Sequence, residues 1–112
     1  GYLTNMCMTL ASDYYKAGIS IAPNVEPLLY DTIWTERYMG LVEENPEGYK
    51  NASVLTHVDK AKGHLLQIHG NADDNVHHQH SIKLAIKIAT MNPIIPDVIL
   101  NDKVTNTPSS KI

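Results

Sequence analysis

Cysteine is almost missing from this chain: Cys7 is the only one in 112 residues. A single thiol excludes an internal disulfide and any cysteine-based zinc site. It falls at helical spacing among Leu3, Met6 and Leu10, so it reads as one more apolar group on a buried helix face. Long hydrophobic runs are missing as well. No apolar stretch nears the roughly 18 residues needed to span a bilayer, and no charged-then-apolar leader opens the chain. The chain starts at Gly1 rather than Met, which leads us to expect a piece of a longer or processed protein. Positive charge is scarce: 9 Lys and Arg against 12 Asp and Glu give a net charge of −3. With no basic stripe to neutralise phosphates, no nucleic-acid partner is expected.

What is present suits one folded domain, with 43% hydrophobic and 19% charged residues. Tyr2 to Ala11 has helical periodicity with Leu3, Met6, Cys7 and Leu10 on one face, and Ser12-Asp13 stops it. Ala17 to Ala22 is short, apolar and ended by Pro23, as a buried parallel strand would be. Leu28 to Met39 is aromatic-rich and helical in part, and Glu43 to Asn51 reads as an exposed connection. Ser53 is placed to cap a short helix through about Asp59. Leu65 to Gly70 is a second strand. Asp74 or Asn75 then caps a helix from Val76 to about Thr90, with Ile82, Ala85, Ile86 and Ala89 inward and Lys83 and Lys87 solvated. Asp97 to Leu100 is a candidate third strand. Strands alternating with helices at this spacing imply βαβ units and an α/β fold with a parallel sheet and flanking helices. The domain is expected over 1–100, followed by a polar, disordered tail over 101–112.

The most telling segment is Leu65-Leu66-Gln67-Ile68-His69-Gly70-Asn71-Ala72-Asp73-Asp74-Asn75-Val76-His77. It is a strand running into a glycine turn with two carboxylates and an amide at its end. In open α/β sheets, chemistry gathers beyond the carboxyl ends of the strands. Taken alone, Asp-Asp-Asn after a strand caps a helix; it also suits the acidic arm of a Ser…Asp…His hydrolase. The segment resembles the Asp region of the prolyl oligopeptidase family of serine peptidases, and above all its dipeptidyl peptidase IV branch.

Two further stretches carry the resemblance. Tyr30-Asp31-Thr32-Ile33-Trp34-Thr35-Glu36-Arg37-Tyr38-Met39-Gly40 is similar to that family's Tyr-Asp-Ser-x-Tyr-Thr-Glu-Arg-Tyr-Met-Gly signature. Asn45-Pro46-Glu47-Gly48-Tyr49-Lys50 is similar to a stretch common in bacterial relatives. Read without the family, the aromatics would serve a core or an interface. The resemblance implies instead that Tyr30 and Trp34 wall the pocket for the side chain, commonly Pro, that precedes the cleaved bond. Trp34 stands where the family has Tyr, and Pro27 stands where it usually has Trp. By the same resemblance Asp73 is the triad Asp, Asn75 is an amide near the substrate carbonyl, and Val76 is a pocket wall. The fold implied is a partial α/β-hydrolase, and no cofactor is implied.

The other two arms of a triad are not found in the sequence. Gly1-Tyr2 resembles the end of a Gly-x-Ser-x-Gly-Gly-Tyr elbow, which places the nucleophile upstream of Gly1. Ser12, Ser20, Ser53, Ser81, Ser109 and Ser110 all lack the flanking glycines of a strained elbow. No His follows His80, and aligning Leu100-Asn101-Asp102-Lys103 with the family's Tyr-Pro-Asp-Lys puts Thr105 where His belongs. A Thr hydroxyl is no base near neutral pH. The chain by itself is therefore expected to be inactive, with a peptide substrate only in the context of a complete domain. The alternative is a non-catalytic homologue or interaction module, or the product of a degenerate reading frame, able to self-associate through open sheet edges. His77-His78-x-His80 beside Asp73-Asp74 suggests a metal, but only His77 and His80 share a helix face, so no metal site is expected. His57, His64 and His69 are spread apart and read as singly satisfied or solvated.

Overall fold

The computed structural model describes residues 1–91 together with the backbone of 98–101. Its elements are α1 (Tyr2–Leu10), β1 (Ala17–Ile21), a 3-10 turn (Pro27–Leu29), α2 (Thr32–Met39), α3 (Pro46–Ala52), a 3-10 helix (Val54–Lys60), β2 (His64–Gly70), α4 (Gln79–Met91) and β3 (Val98–Asn101). The three strands form one parallel sheet in the order β1-β2-β3. Ala17 pairs with His64 and Ile21 with Ile68, while Gln67 pairs with Val98 and Gly70 with Asn101. The expected adjacency and parallel sense of the first two strands are therefore present. The third strand ends at Asn101, and residues 102–112, including Thr105, lie outside the described residues.

Helices and the 3-10 segment cover one face of β2. Leu65, Gln67 and His69 alternate inward along the strand, as a period of two requires. Leu65 joins Met8, Val25, Val54, Val58, Leu84 and Ile88 in the apolar core. Gln67 and His69 turn the same face polar toward the site end. Their partners are on α4: Gln67 Nε2 donates to the Ser81 carbonyl at 3.1 Å, and His69 Nδ1 meets Ser81 Oγ at 2.6 Å.

That bolt explains why α4 differs from its expected form. The helix starts at Gln79 rather than Val76, because residues 73–77 are held in a turn on His69 and Asp73. Its inward face is His80, Ser81, Leu84 and Ile88, not Ile82, Ala85, Ile86 and Ala89; Ile86 is exposed. Lys83 and Lys87 are exposed, as expected. On α1 the buried residues are Asn5, Met8 and Thr9, whereas Leu3 and Leu10 face outward and Cys7 is half-buried. Thr9 satisfies itself by donating to the Asn5 carbonyl at 2.9 Å. Glu43 to Asn51 is no mere connection: Asn45 Oδ1 accepts from the Gly48 amide at 3.1 Å, and Pro46 opens α3. A proline at that position loses nothing, since its missing N–H had no helical partner. Ser53 precedes a 3-10 helix but caps it with no side-chain bond; its hydroxyl donates to Glu26 Oε2 at 2.7 Å.

Gly1 is fixed by a close approach. A Cβ there would lie 2.6 Å from the Ile21 carbonyl oxygen and 2.6 Å from Pro23 Cα. Only glycine lets α1 begin directly on the end of β1, which delivers Tyr2 to the carboxyl edge of the sheet.

Candidate active site

The end of β2 turns sharply, and the turn is organised by Asp73. Its backbone N–H donates to the Gly70 carbonyl at 3.3 Å. Its Oδ1 accepts from the amides of Asn75 at 3.0 Å and Val76 at 2.9 Å. The carboxylate is buried, and Oδ2 has no hydrogen-bond partner among the described residues. The nearest charge-bearing candidate is His69 Nε2 at 3.5 Å, already committed to the Val76 carbonyl at 2.6 Å. A carbonyl can only accept, so Nε2 carries the hydrogen given to Val76, while Nδ1 pairs with the Ser81 hydroxyl. His69 thus ties the turn to α4, through Nε2 on Val76 and Nδ1 on Ser81. Leaving a buried carboxylate oxygen unpaired is costly. Such a group is a candidate functional atom rather than a structural cap alone.

Beside this turn lies an aromatic cleft of about 480 Å³, lined among others by Tyr30, Trp34, Asn75 and Val76. Local sequence builds it. Asp31 caps α2 by accepting from the Trp34 amide at 3.2 Å, which sets Trp34 one turn into the helix. Tyr30, just before the helix, then meets Trp34 edge to face, with ring centroids 5.5 Å apart. The Tyr30 hydroxyl donates to Asn75 Oδ1 at 3.0 Å and so ties the aromatic wall to the Asp73 turn. The four residues proposed for substrate contact and Asp73 are therefore brought to one place. Pro27 lines the same cleft.

Three contributors were not singled out from the sequence. Tyr2 lines the cleft and donates to the Ala52 carbonyl at 2.9 Å; burial pushes its phenol above the usual value. Ala22 closes β1 at φ +43°, a left-handed conformation that costs roughly 1–2 kcal/mol in a non-glycine residue. It is held there by its amide, which donates to the Ile68 carbonyl at 2.8 Å. The third, Asn24, follows it into the cleft. Their common signal was position: all three sit at the carboxyl end of β1 or against it. The histidine cluster does not form a ligand set. His80 turns inward, where its Nδ1 accepts from the Val25 amide at 3.2 Å, and among the described residues no three His, Cys, Asp or Glu side chains converge.

A parallel sheet whose strand ends carry a buried, half-paired Asp beside an apolar cleft defines a partial α/β-hydrolase. The comparisons identify which kind. The prolyl oligopeptidase family matches residues 1–93, and the chain belongs to that family. It is 42% identical over 88 residues to dipeptidyl peptidase 4 of Bos taurus, covering 76% of this chain and 12% of that protein. It is 38% identical over 102 residues to venom dipeptidyl peptidase 4 of Vespa velutina, covering 86% of this chain and 13% of that one. The crystal structure of Porphyromonas gingivalis dipeptidyl peptidase 4 superposes with a TM-score of 0.88 at 35% identity, covering 93% of this chain and 15% of that one. The chain is thus similar to a small part of much longer peptidases.

Proposed function

We propose that this chain supplies the acidic arm and most of one substrate pocket of a serine-type dipeptidyl peptidase, and that peptide-bond hydrolysis requires groups it does not itself contain. The observation that carries this reading is the asymmetry of Asp73: Oδ1 accepts from two backbone amides, while the buried Oδ2 has no hydrogen-bond partner among the described residues. In a triad the Asp fixes the tautomer and orientation of a His, which in turn takes the proton from the nucleophilic Ser. Asp73 Oδ2 is the atom for that imidazole. The cleft between Tyr30, Trp34, Asn75 and Val76 receives the side chain preceding the cleaved bond, with Xaa-Pro substrates favoured by the family resemblance. Asn75 steers the substrate carbonyl, and Thr105 is the residue that the sequence alignment sets against the family's His.

The chain alone should therefore neither hydrolyse an Xaa-Pro chromogenic dipeptide nor react with a fluorophosphonate serine probe. Adding an upstream Gly-x-Ser-x-Gly elbow should restore at most weak turnover, and Thr105→His in that longer chain should raise it. Serine labelling of the unextended chain, abolished by Asp73→Asn, would show that a triad assembles from residues given no part here.

A second reading has its own observation. Ile19 and Ile21 on β1 are 62% and 55% exposed, and β1 pairs with no strand but β2 among the described residues. Such an edge invites strand addition. On this reading the chain acts by association, with itself or another chain, and would form concentration-dependent oligomers that an Ile19→Lys substitution disperses.

A further inference from the structure

The cleft is larger than a proline ring needs, and it is not uniformly apolar. A closed cavity of about 150 Å³ already holds benzene, against the roughly 480 Å³ here, open on one side. Among the described residues no charged side chain lines it, but two primary amides do, Asn24 and Asn75. Asn75 spends Oδ1 on the Tyr30 hydroxyl, as described. Asn24 is half-buried, and its side chain makes no hydrogen bond within the described residues. It follows the left-handed Ala22 and the buried Pro23, which set its backbone at the carboxyl end of β1 beside the cleft.

We infer that Asn24 is a specificity-determining residue, and that the cleft accepts, besides proline, an uncharged side chain long enough to present a carboxamide to it. The inference rests on the pocket assignment made under the proposed function. A primary amide offers one acceptor and two donors, and the complementary partner is another primary amide, which forms two hydrogen bonds with it. Glutamine has that group at the end of a flexible stem. An apolar ligand of the same length would strip water from Asn24 and return nothing, and sites built to hydrogen-bond discriminate strongly against analogues lacking the group. Lysine, arginine and glutamate are disfavoured, because the described residues lining the cleft offer no counter-charge for a partly desolvated ion.

Trp34, the sole tryptophan, reports on the cleft directly by its fluorescence. The test is titration of the 112-residue chain with N-acetyl methylamides of glutamine, leucine and proline, followed by Trp34 emission and amide NMR shifts. The glutamine derivative should bind roughly three- to tenfold tighter than the leucine one, the worth of one or two net hydrogen bonds. In Asn24→Val the glutamine-to-leucine affinity ratio should collapse toward one; Asn24→Ala, which removes the amide without adding bulk, should do the same. If the ratio is near one in the unmodified chain, or survives both substitutions, the role of Asn24 is refuted while the pocket stands. If none of the three derivatives perturbs Trp34 or Asn75, the pocket assignment itself fails.

Discussion

Two walls of the same site are built in opposite ways. At the Asp73 turn Asp73 and Val76 are buried, and the backbone is pinned by Asp73 Oδ1, by the Gly70 carbonyl and by His69 from behind. Across the cleft, Trp34 is 51% exposed and its neighbour Tyr38 66% exposed, and they are held by ring contacts along α2 rather than by a core. The acidic wall can keep its geometry with only this chain around it. The aromatic wall has its cap at Asp31 and its tie from Tyr30 to Asn75, but much of its surface has nothing packed on it. On the proposed function, the rigid wall is the one that would direct a proton and the open apolar wall the one that would receive a ligand.

Replacing His69 should break the rigid wall most severely. His69→Ala removes a fully buried ring together with the partners of the Val76 carbonyl and the Ser81 hydroxyl. The expected loss is about 3 kcal/mol, read as a lower urea midpoint at unchanged slope. A cost near zero would mean that the turn does not depend on its clamp.

Acid should weaken the same side of the molecule next. Burial lowers His80 from 6.5 to about 4. Between those values the unfolded chain binds a proton that the folded chain refuses, so stability must fall as pH drops from 6.5 toward 4 and level off below. The loss from this group is on the order of 2 kcal/mol, measured as urea midpoints at pH 7, 5 and 4. Stability that rises on acidification through this window would contradict the assignment.

The aromatic wall should respond least in stability. Trp34→Ala is expected to cost under about 1 kcal/mol, because half the ring is already in water. The same substitution should abolish measurable binding of the amino-acid methylamides. A loss as large as that of His69→Ala would erase the contrast between the walls.

Particular residues show what was legible in the sequence. Ala17 to Ala22 and Leu65 to Gly70 announced themselves as strands because both are short apolar runs closed by Pro23 or Gly70. Tyr30, Trp34, Asp73, Asn75 and Val76 were singled out through the family signature; all but Asp73 line one cleft, and Asp73 sits in the turn that carries Asn75 and Val76. Periodicity failed where apolar residues face outward: Leu3 and Leu10 line an open surface of α1, while polar Asn5 and Thr9 are packed against the rest of the chain. It failed again on α4, where hydrogen bonds from Gln67 and His69 draw Ser81 inward and so rotate the helix. The α3 helix was hidden by its polar composition, although Asn45-Pro46 is a start signal of the ordinary kind. Asn24 carried only the signal of its place after β1, and His69 was beyond reach, since nothing local distinguishes a clamping imidazole until β2 meets α4.

The central claim is that Asp73 has two separable duties, one structural through Oδ1 and one chemical through Oδ2. The direct measurement compares Asp73→Asn with the parent in the chain extended by a Gly-x-Ser-x-Gly elbow and carrying Thr105→His, recording both kcat on an Xaa-Pro substrate and urea stability. An Asn oxygen can still accept from the Asn75 and Val76 amides, so stability should change by less than about 1 kcal/mol. The amide cannot hold the imidazole in its working tautomer, and kcat should fall by about 10⁴. Equal turnover in the two proteins, or a rate loss matched by unfolding, would contradict the account.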